Sequence, residues 1–210
     1  MSSVERVPVV PLEAGAGPEN PPCPACGEPL FGWLPVQPGL AGPVGRCESC
    51  GLGVVSAAAD PKEALYELDR LRRGGDVLQI ADRASFACSL GSAGWAGLEP
   101  GSRYLFTVEA IRRLVARRDQ VVKSKRWAPM ASLAATWQTL LNSVTFGHNM
   151  ALGFLGRGRA MPADAPWKRR IDALASVVLA IPALLIAIPV ELAGGLTGRG
   201  AVVSLRLELL

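Results

Sequence analysis

The sequence predicts an α/β fold preceded by a small cysteine-rich ribbon, and three observations carry that expectation. Cys23-Pro-Ala-Cys26 and Cys47-Glu-Ser-Cys50 form a CxxC…CxxC pair separated by twenty residues. Short strand-like runs, Val77–Ala81 and Gln120–Trp127, alternate with helical patterns. The terminal run Ala201–Leu210 sets Val203, Leu205, Leu207 and Leu209 against Ser204, Arg206 and Glu208, the period-two pattern of a half-buried strand. With 210 residues, 50% apolar and 19% charged, the composition excludes a disordered chain and is enough for one domain or two small ones. The 23 glycines and 17 prolines are many, but fewer than low complexity requires.

Residues 1–22 read as a flexible leader. Val7-Pro8-Val9-Val10-Pro11-Leu12 is too short and proline-broken for a secretory signal. The cysteines are therefore expected to meet a reducing cytosol, where a disulfide framework does not persist. Residues 23–56 read as a zinc ribbon. Each CxxC lets two thiolates reach one ion from a tight turn, and the following Gly27 and Gly51 can take the positive φ that such turns need. Four soft ligands, Cys23, Cys26, Cys47 and Cys50, suit a closed structural Zn²⁺ site whose binding folds a segment too small to fold alone. Pro29 to Arg46 fits the hairpin between the knuckles. A redox role fits less well, because no thioredoxin-like βαβ pattern surrounds either motif. Cys88 stands alone and reads as a small buried side chain.

Residues 60–210 form the second predicted unit. Asp60-Pro61 opens a helix with Leu65, Leu68 and Leu71 at helical spacing, stopped by Arg72-Arg73-Gly74-Gly75 with the glycines as cap. After the strand at Val77–Ala81 a Gly/Ser-rich loop runs through Gly97. Thr107 then reads as an N-cap, with Phe106 stapled to Ile111 and Glu109 in the first turn. The helix from Val108 to Arg118 buries Ile111, Leu114 and Val115 and turns Arg112, Arg113, Arg117 and Arg118 to solvent. Met130–Leu155 reads as a helix or broken helical hairpin, the first part of an apolar helical segment over 131–192.

From Ala173 to Val190 eighteen residues include only one polar side chain, Ser176. As a helix this is about 27 Å, near the roughly 30 Å hydrocarbon thickness of a bilayer. Lys168-Arg169-Arg170 precedes it, with Trp167 as an interface anchor, and Pro182 and Pro189 are better tolerated in a membrane helix than in a soluble one. Two readings stand. The segment is a buried helix joining two strands, or a re-entrant or interface-lying hairpin that returns the last strand to the same side. In the second, Arg157, Arg159 and Lys168–Arg170 face lipid phosphates; in the first they form a solvated face.

The ribbon, Cys23-Pro-Ala-Cys26-Gly27 with Arg46-Cys47 and Cys50-Gly51-Leu52, resembles the N-terminal ribbon of bacterial class I S-adenosylmethionine-dependent methyltransferases. Ala64-Leu65, Glu67 and Arg70-Leu71-Arg72-Arg73-Gly74-Gly75 resemble the segment before that family's fifth strand. Trp95-Ala96-Gly97-Leu98 and Tyr104-Leu105-Phe106-Thr107 through Leu114 resemble the lead into its next helix. Thr197-Gly198-Arg199-Gly200 is similar to the turn before its last strand. The resemblance implies a truncated methyltransferase-type Rossmann-like fold, with Val77–Ala81, Gln120–Trp127 and Ala201–Leu210 as strands five, six and seven, in the spatial order five, seven, six. Arg73 stands where the family has proline, Ser102 or Arg103 where it has histidine, and Asp82 near its post-strand-five Pro-Asn, where a loop cap is the expected role.

In that family the methyl donor sits on a glycine-rich turn after strand one, because backbone amides at a bare helix start approach the ligand closely. Here Gly51-Leu52-Gly53-Val54-Val55 runs almost directly to the helix at Asp60, leaving no residues for strands one to four. Gly15-x-Gly17 and Gly156-x-Gly158 are not credible substitutes. S-adenosylmethionine binding and independent catalysis are therefore not expected, and no catalytic residue is assigned; the single histidine, His148, excludes mechanisms that need two. The expected function is a degenerate methyltransferase-like zinc-ribbon protein with a binding or scaffolding role. Its expected place is the cytoplasm or the cytoplasmic face of the membrane, and its partners an intact methyltransferase, a glycan-assembly enzyme or an anionic membrane surface. The alternatives are a methyltransferase component completed by another subunit, and a nucleic-acid-binding ribbon using Arg112–Arg118. The net charge of +4 selects neither lipid nor nucleic acid. No stacking aromatics accompany those arginines, and ribbon residues 23–50 carry one base, Arg46.

Overall fold

The computed structural model describes residues 20–37, 40–55, 60–72, 76–156 and 159–210. Most of the expected leader, the Gly74-Gly75 cap and Arg157 fall outside them. The first sheet is built by β1 (Leu30–Leu34), β2 (Val44–Cys47) and β3 (Gly53–Val55), paired antiparallel in chain order. It gains a fourth strand from far along the chain, β5 (Tyr104–Leu105), which pairs Gly53 with Leu105 and Val54 with Tyr104. The sheet of the ribbon thus does not end at residue 56. A two-residue strand is invisible to periodicity, which needs several alternations to register.

The second sheet has the order β4-β7-β6, where β4 is Val77–Ala81, β6 Gln120–Trp127 and β7 Val202–Leu209. β7 lies in the middle, antiparallel to both neighbours. The three segments and their spatial order are those expected from the sequence. Leu205 and Leu207 on β7 are buried, while the edge strand β6 alternates half-exposed and exposed residues and carries Lys123, Lys125 and Arg126, charges that discourage further edge pairing.

Two amphipathic helices join the sheets. α1 (Pro61–Arg70) starts on Asp60, whose carboxylate accepts from the Lys62 amide, and buries Ala64, Leu65 and Leu68. Leu71, expected on the same face, is instead exposed, because the helix ends at Arg70 and Leu71 is its C-cap. α3 (Val108–Ala116) starts on Thr107 and buries Ile111, Leu114 and Val115. One core then runs from Cys23, Cys47, Cys50 and Leu52 through Leu65, Leu68, Ile111 and Leu114 to Leu78, Ile80, Val203, Leu205 and Leu207. The ribbon and the three-stranded sheet share this core across α1 and α3.

The loop expected over residues 82–97 contains a helix, α2 (Phe86–Gly91), followed by a short 3-10 turn. Ser85 caps it by accepting from the Cys88 amide, and Ala87 and Cys88 sink beside the fully buried Trp95. Its glycines and serines mask this local capping. The Met130–Leu155 region is the broken form: α4 (Pro129–Asn142) and the one-turn α5 (Met150–Phe154) separated at Asn149, whose φ is 56°. The polar residues of α4 form an inward stripe: Ser132 bonds both the Val202 amide and carbonyl, and Asn142 bonds Gly94 and Asn149.

The eighteen apolar residues span two helices, α6 (Pro166–Val178) and α7 (Ala180–Leu196), bent by 60° at Leu179. Among the described residues no single helix is long and apolar enough to cross a membrane. Each helix is fastened by one buried acid. Asp172 on α6 accepts from the Phe146 and Gly147 amides at 2.7 and 2.8 Å. Glu191 on α7 accepts from Trp127 Nε1, the Ala201 amide and Thr136 Oγ1 at 2.9, 2.9 and 2.6 Å.

Candidate metal centre

The four cysteines named from the sequence converge. Their sulfurs all lie within 4.8 Å of one another, with Cys23 Sγ 3.5 Å from Cys50 Sγ and Cys26 Sγ 3.4 Å from Cys47 Sγ. The two turns that deliver them repeat one local geometry. In the first, the Gly27 amide donates to the Cys23 carbonyl at 2.8 Å and the Cys23 amide to Glu28 at 2.7 Å. In the second, the Gly51 amide donates to Cys47 at 3.0 Å and the Cys47 amide to Leu52 at 2.9 Å. Gly27 and Gly51 take φ of +84° and +75°, the left-handed conformation that glycine reaches without strain.

This cluster can hold a metal ion. A tetrahedral ion with metal–sulfur bonds of about 2.3 Å needs sulfurs about 3.8 Å apart, close to the spacing found. Cys23, Cys47 and Cys50 are buried and Cys26 is half-buried, so the site is closed on its protein side. The thiols compete for protons: Cys23 and Cys50 share a hydrogen bond, which pulls one thiol of the pair down and pushes the other up. Burial pushes Cys26 up as well. Four thiolates at this spacing repel one another, and a divalent cation is the group that lets all of them ionise.

The knuckles are held by α3 and the turn after β4. Thr107 Oγ1 accepts from the Ala110 amide as helix cap and donates to the Cys50 carbonyl at 2.6 Å. Arg83 Nε donates to the Gly51 carbonyl, Arg113 reaches Ser49 Oγ at 3.2 Å, and Arg117 donates to the Ala25 carbonyl at 3.3 Å. Of the four arginines expected to look at solvent, Arg112, Arg117 and Arg118 are exposed and Arg113 is half-buried; Arg113 and Arg117 also hold the knuckles, while Arg118 pairs with Asp69 and Arg112 with Glu109. Sequence reasoning missed Arg83 and this second use of Thr107, since neither belongs to a spacing motif.

Other residues singled out from the sequence lie apart from the cysteines. Asp82 is buried, caps its loop by accepting from the Ala84 amide, and lies 3.7 Å from Lys125 Nζ. Burial pushes its carboxyl up. Cys88 is buried and its thiol is pushed up to about 12, the property of a packing residue rather than a nucleophile. His148 sits beside the Trp95 carbonyl at 3.1 Å and is pushed down by burial, so it is neutral at pH 7. Comparison with known protein families, curated proteins and solved structures finds no match for this chain.

Proposed function

We propose that this chain is a methyltransferase-like zinc-ribbon protein that binds or scaffolds and does not catalyse by itself, with Zn²⁺ on Cys23, Cys26, Cys47 and Cys50 as its structural ion. The observation that carries the reading is the β4-β7-β6 sheet, whose order and directions agree with strands five, seven and six of the resembled family. Here the outer edge of β4 carries, among the described residues, one bridge, Arg72 to Leu78. A groove of about 810 Å³ borders it, lined by Gln79, Ile80, Ala81, Tyr104, Met130 and Ala134 among others. The part of this strand edge beyond the bridge, beside the groove, is where a strand from another chain would add.

The same edge favours the second reading, a methyltransferase component whose cofactor half comes from another subunit. Calorimetric titration of the purified protein with S-adenosylmethionine, alone and with a candidate partner, tests both. No heat from the lone protein supports the scaffold reading. Binding that appears only with the partner supports the component reading. Micromolar binding by the lone chain overturns both.

A further inference from the structure

The outer face of α6 and α7 plays no part in the ribbon or the sheet. Leu174, Val177, Ile181, Leu185 and Leu192 are 66, 75, 70, 65 and 51% exposed, and they follow one another across the elbow between the two helices. Exposed apolar side chains grouped on one face in this way mark an interaction surface. We propose that the α6–α7 elbow embeds in one leaflet of a phospholipid membrane, lying in its plane, with anionic headgroups held by the start of α6.

Four features choose this occupant. First, the two acids of the elbow, Asp172 and Glu191, are both turned inward and hydrogen-bonded, so the outer face carries no negative charge. Second, its cations, Lys168, Arg169 and Arg170, all lie within the first five residues of α6, at one end of the apolar face, and Arg169 also donates to the Ala163 carbonyl at 2.7 Å. Third, Trp167 packs edge-on to Phe146 at 5.8 Å, and Lys168 Nζ stands 5.3 Å from the Phe146 ring. Aromatic rings beside a lysine above an apolar surface match the headgroup boundary, where one end of a side chain is wet and the other dry. Fourth, β6 before the elbow and β7 after it are neighbours in one sheet, so the chain must return to the side it left. A single crossing is excluded by that topology, and the 60° bend suits shallow insertion. A second copy of the chain packed face to face fits less well, because α6 and α7 offer no exposed carboxylate to receive their cations.

This inference is independent of the scaffold reading. Flotation of the metal-loaded protein with phosphatidylcholine vesicles, with and without phosphatidylglycerol, tests it. The protein should float with the vesicles, roughly tenfold more strongly when phosphatidylglycerol is present. Ile181→Asp and Leu185→Asp, both at exposed positions, should abolish flotation while circular dichroism and metal content stay unchanged. Arg170→Gln should weaken only the phosphatidylglycerol preference. Folded wild-type protein that stays in the aqueous phase with both compositions overturns the proposal. So does a stable dimer in solution that Leu185→Asp converts to monomer, and equal flotation on both compositions overturns the headgroup assignment.

Discussion

Glu191 closes the joint between α7, α4 and the second sheet, and replacing it gives a worked magnitude. Its Oε1 receives the Trp127 indole and the Ala201 amide, and its Oε2 the Thr136 hydroxyl. In Glu191→Leu the hydroxyl can turn to a carbonyl of its own helix, but the half-buried indole and the buried amide are left without an acceptor. Each orphaned donor costs about 1–3 kcal/mol, so the pair costs about 2–6, offset in part because a buried carboxylate no longer has to be desolvated. A net loss of about 3 kcal/mol is expected, a large share of the roughly 5–15 kcal/mol that holds most domains together. Glu191→Gln keeps the Oε1 acceptor, and its amide can donate to Thr136, so it should cost about 1 kcal/mol or less. Urea unfolding followed by far-ultraviolet circular dichroism measures both. A Leu variant within about 0.5 kcal/mol of wild type, or a Gln variant as costly as Leu, would refute the reasoning.

Three further outcomes follow from neighbouring sites. Thr107→Ala removes the cap of α3 and its bond to Cys50, and should cost about 1–2 kcal/mol in the same unfolding assay and speed metal loss to a chelator. Cys88 should resist iodoacetamide at pH 8 in the folded protein, since its thiol is protonated there, and become labelled only on unfolding, read by mass spectrometry. Asp82 has its folded carboxyl pKa raised by burial, so the folded state holds this proton more tightly than the unfolded chain. Its contribution to stability therefore falls as pH rises from the unfolded carboxylate value through the raised one, and Asp82→Asn should flatten that part of the stability–pH curve.

Where the sequence spoke through short-range rules, it was sufficient. Thr107 as a cap, the buried stripe of Ile111, Leu114 and Val115, and the alternation of β7 each depend on a few consecutive residues. The four cysteines were legible because metal geometry imposes a spacing. What was not legible depends on partners distant in the chain. β5 is two residues long and is defined by Gly53 and Val54, and Arg83 matters because the fold brings Gly51 to it. Glu191 ends the apolar run of α7, yet only the assembled fold shows that Trp127, Thr136 and Ala201 wait for it. α2 was hidden for a different reason: its Gly91 and the glycines beyond it read as a loop, whereas the capping of Ser85 and the burial of Cys88 decide the local structure.

The shared core means that the metal should hold more than the ribbon. Elemental analysis of purified protein, wild type and Cys47→Ser, is the most direct measurement. Wild type should carry one zinc per chain, and the variant should carry none and lose protection from proteolysis in α3 as well as in the ribbon. Wild-type protein without metal, or a variant that keeps one zinc per chain, would contradict the account.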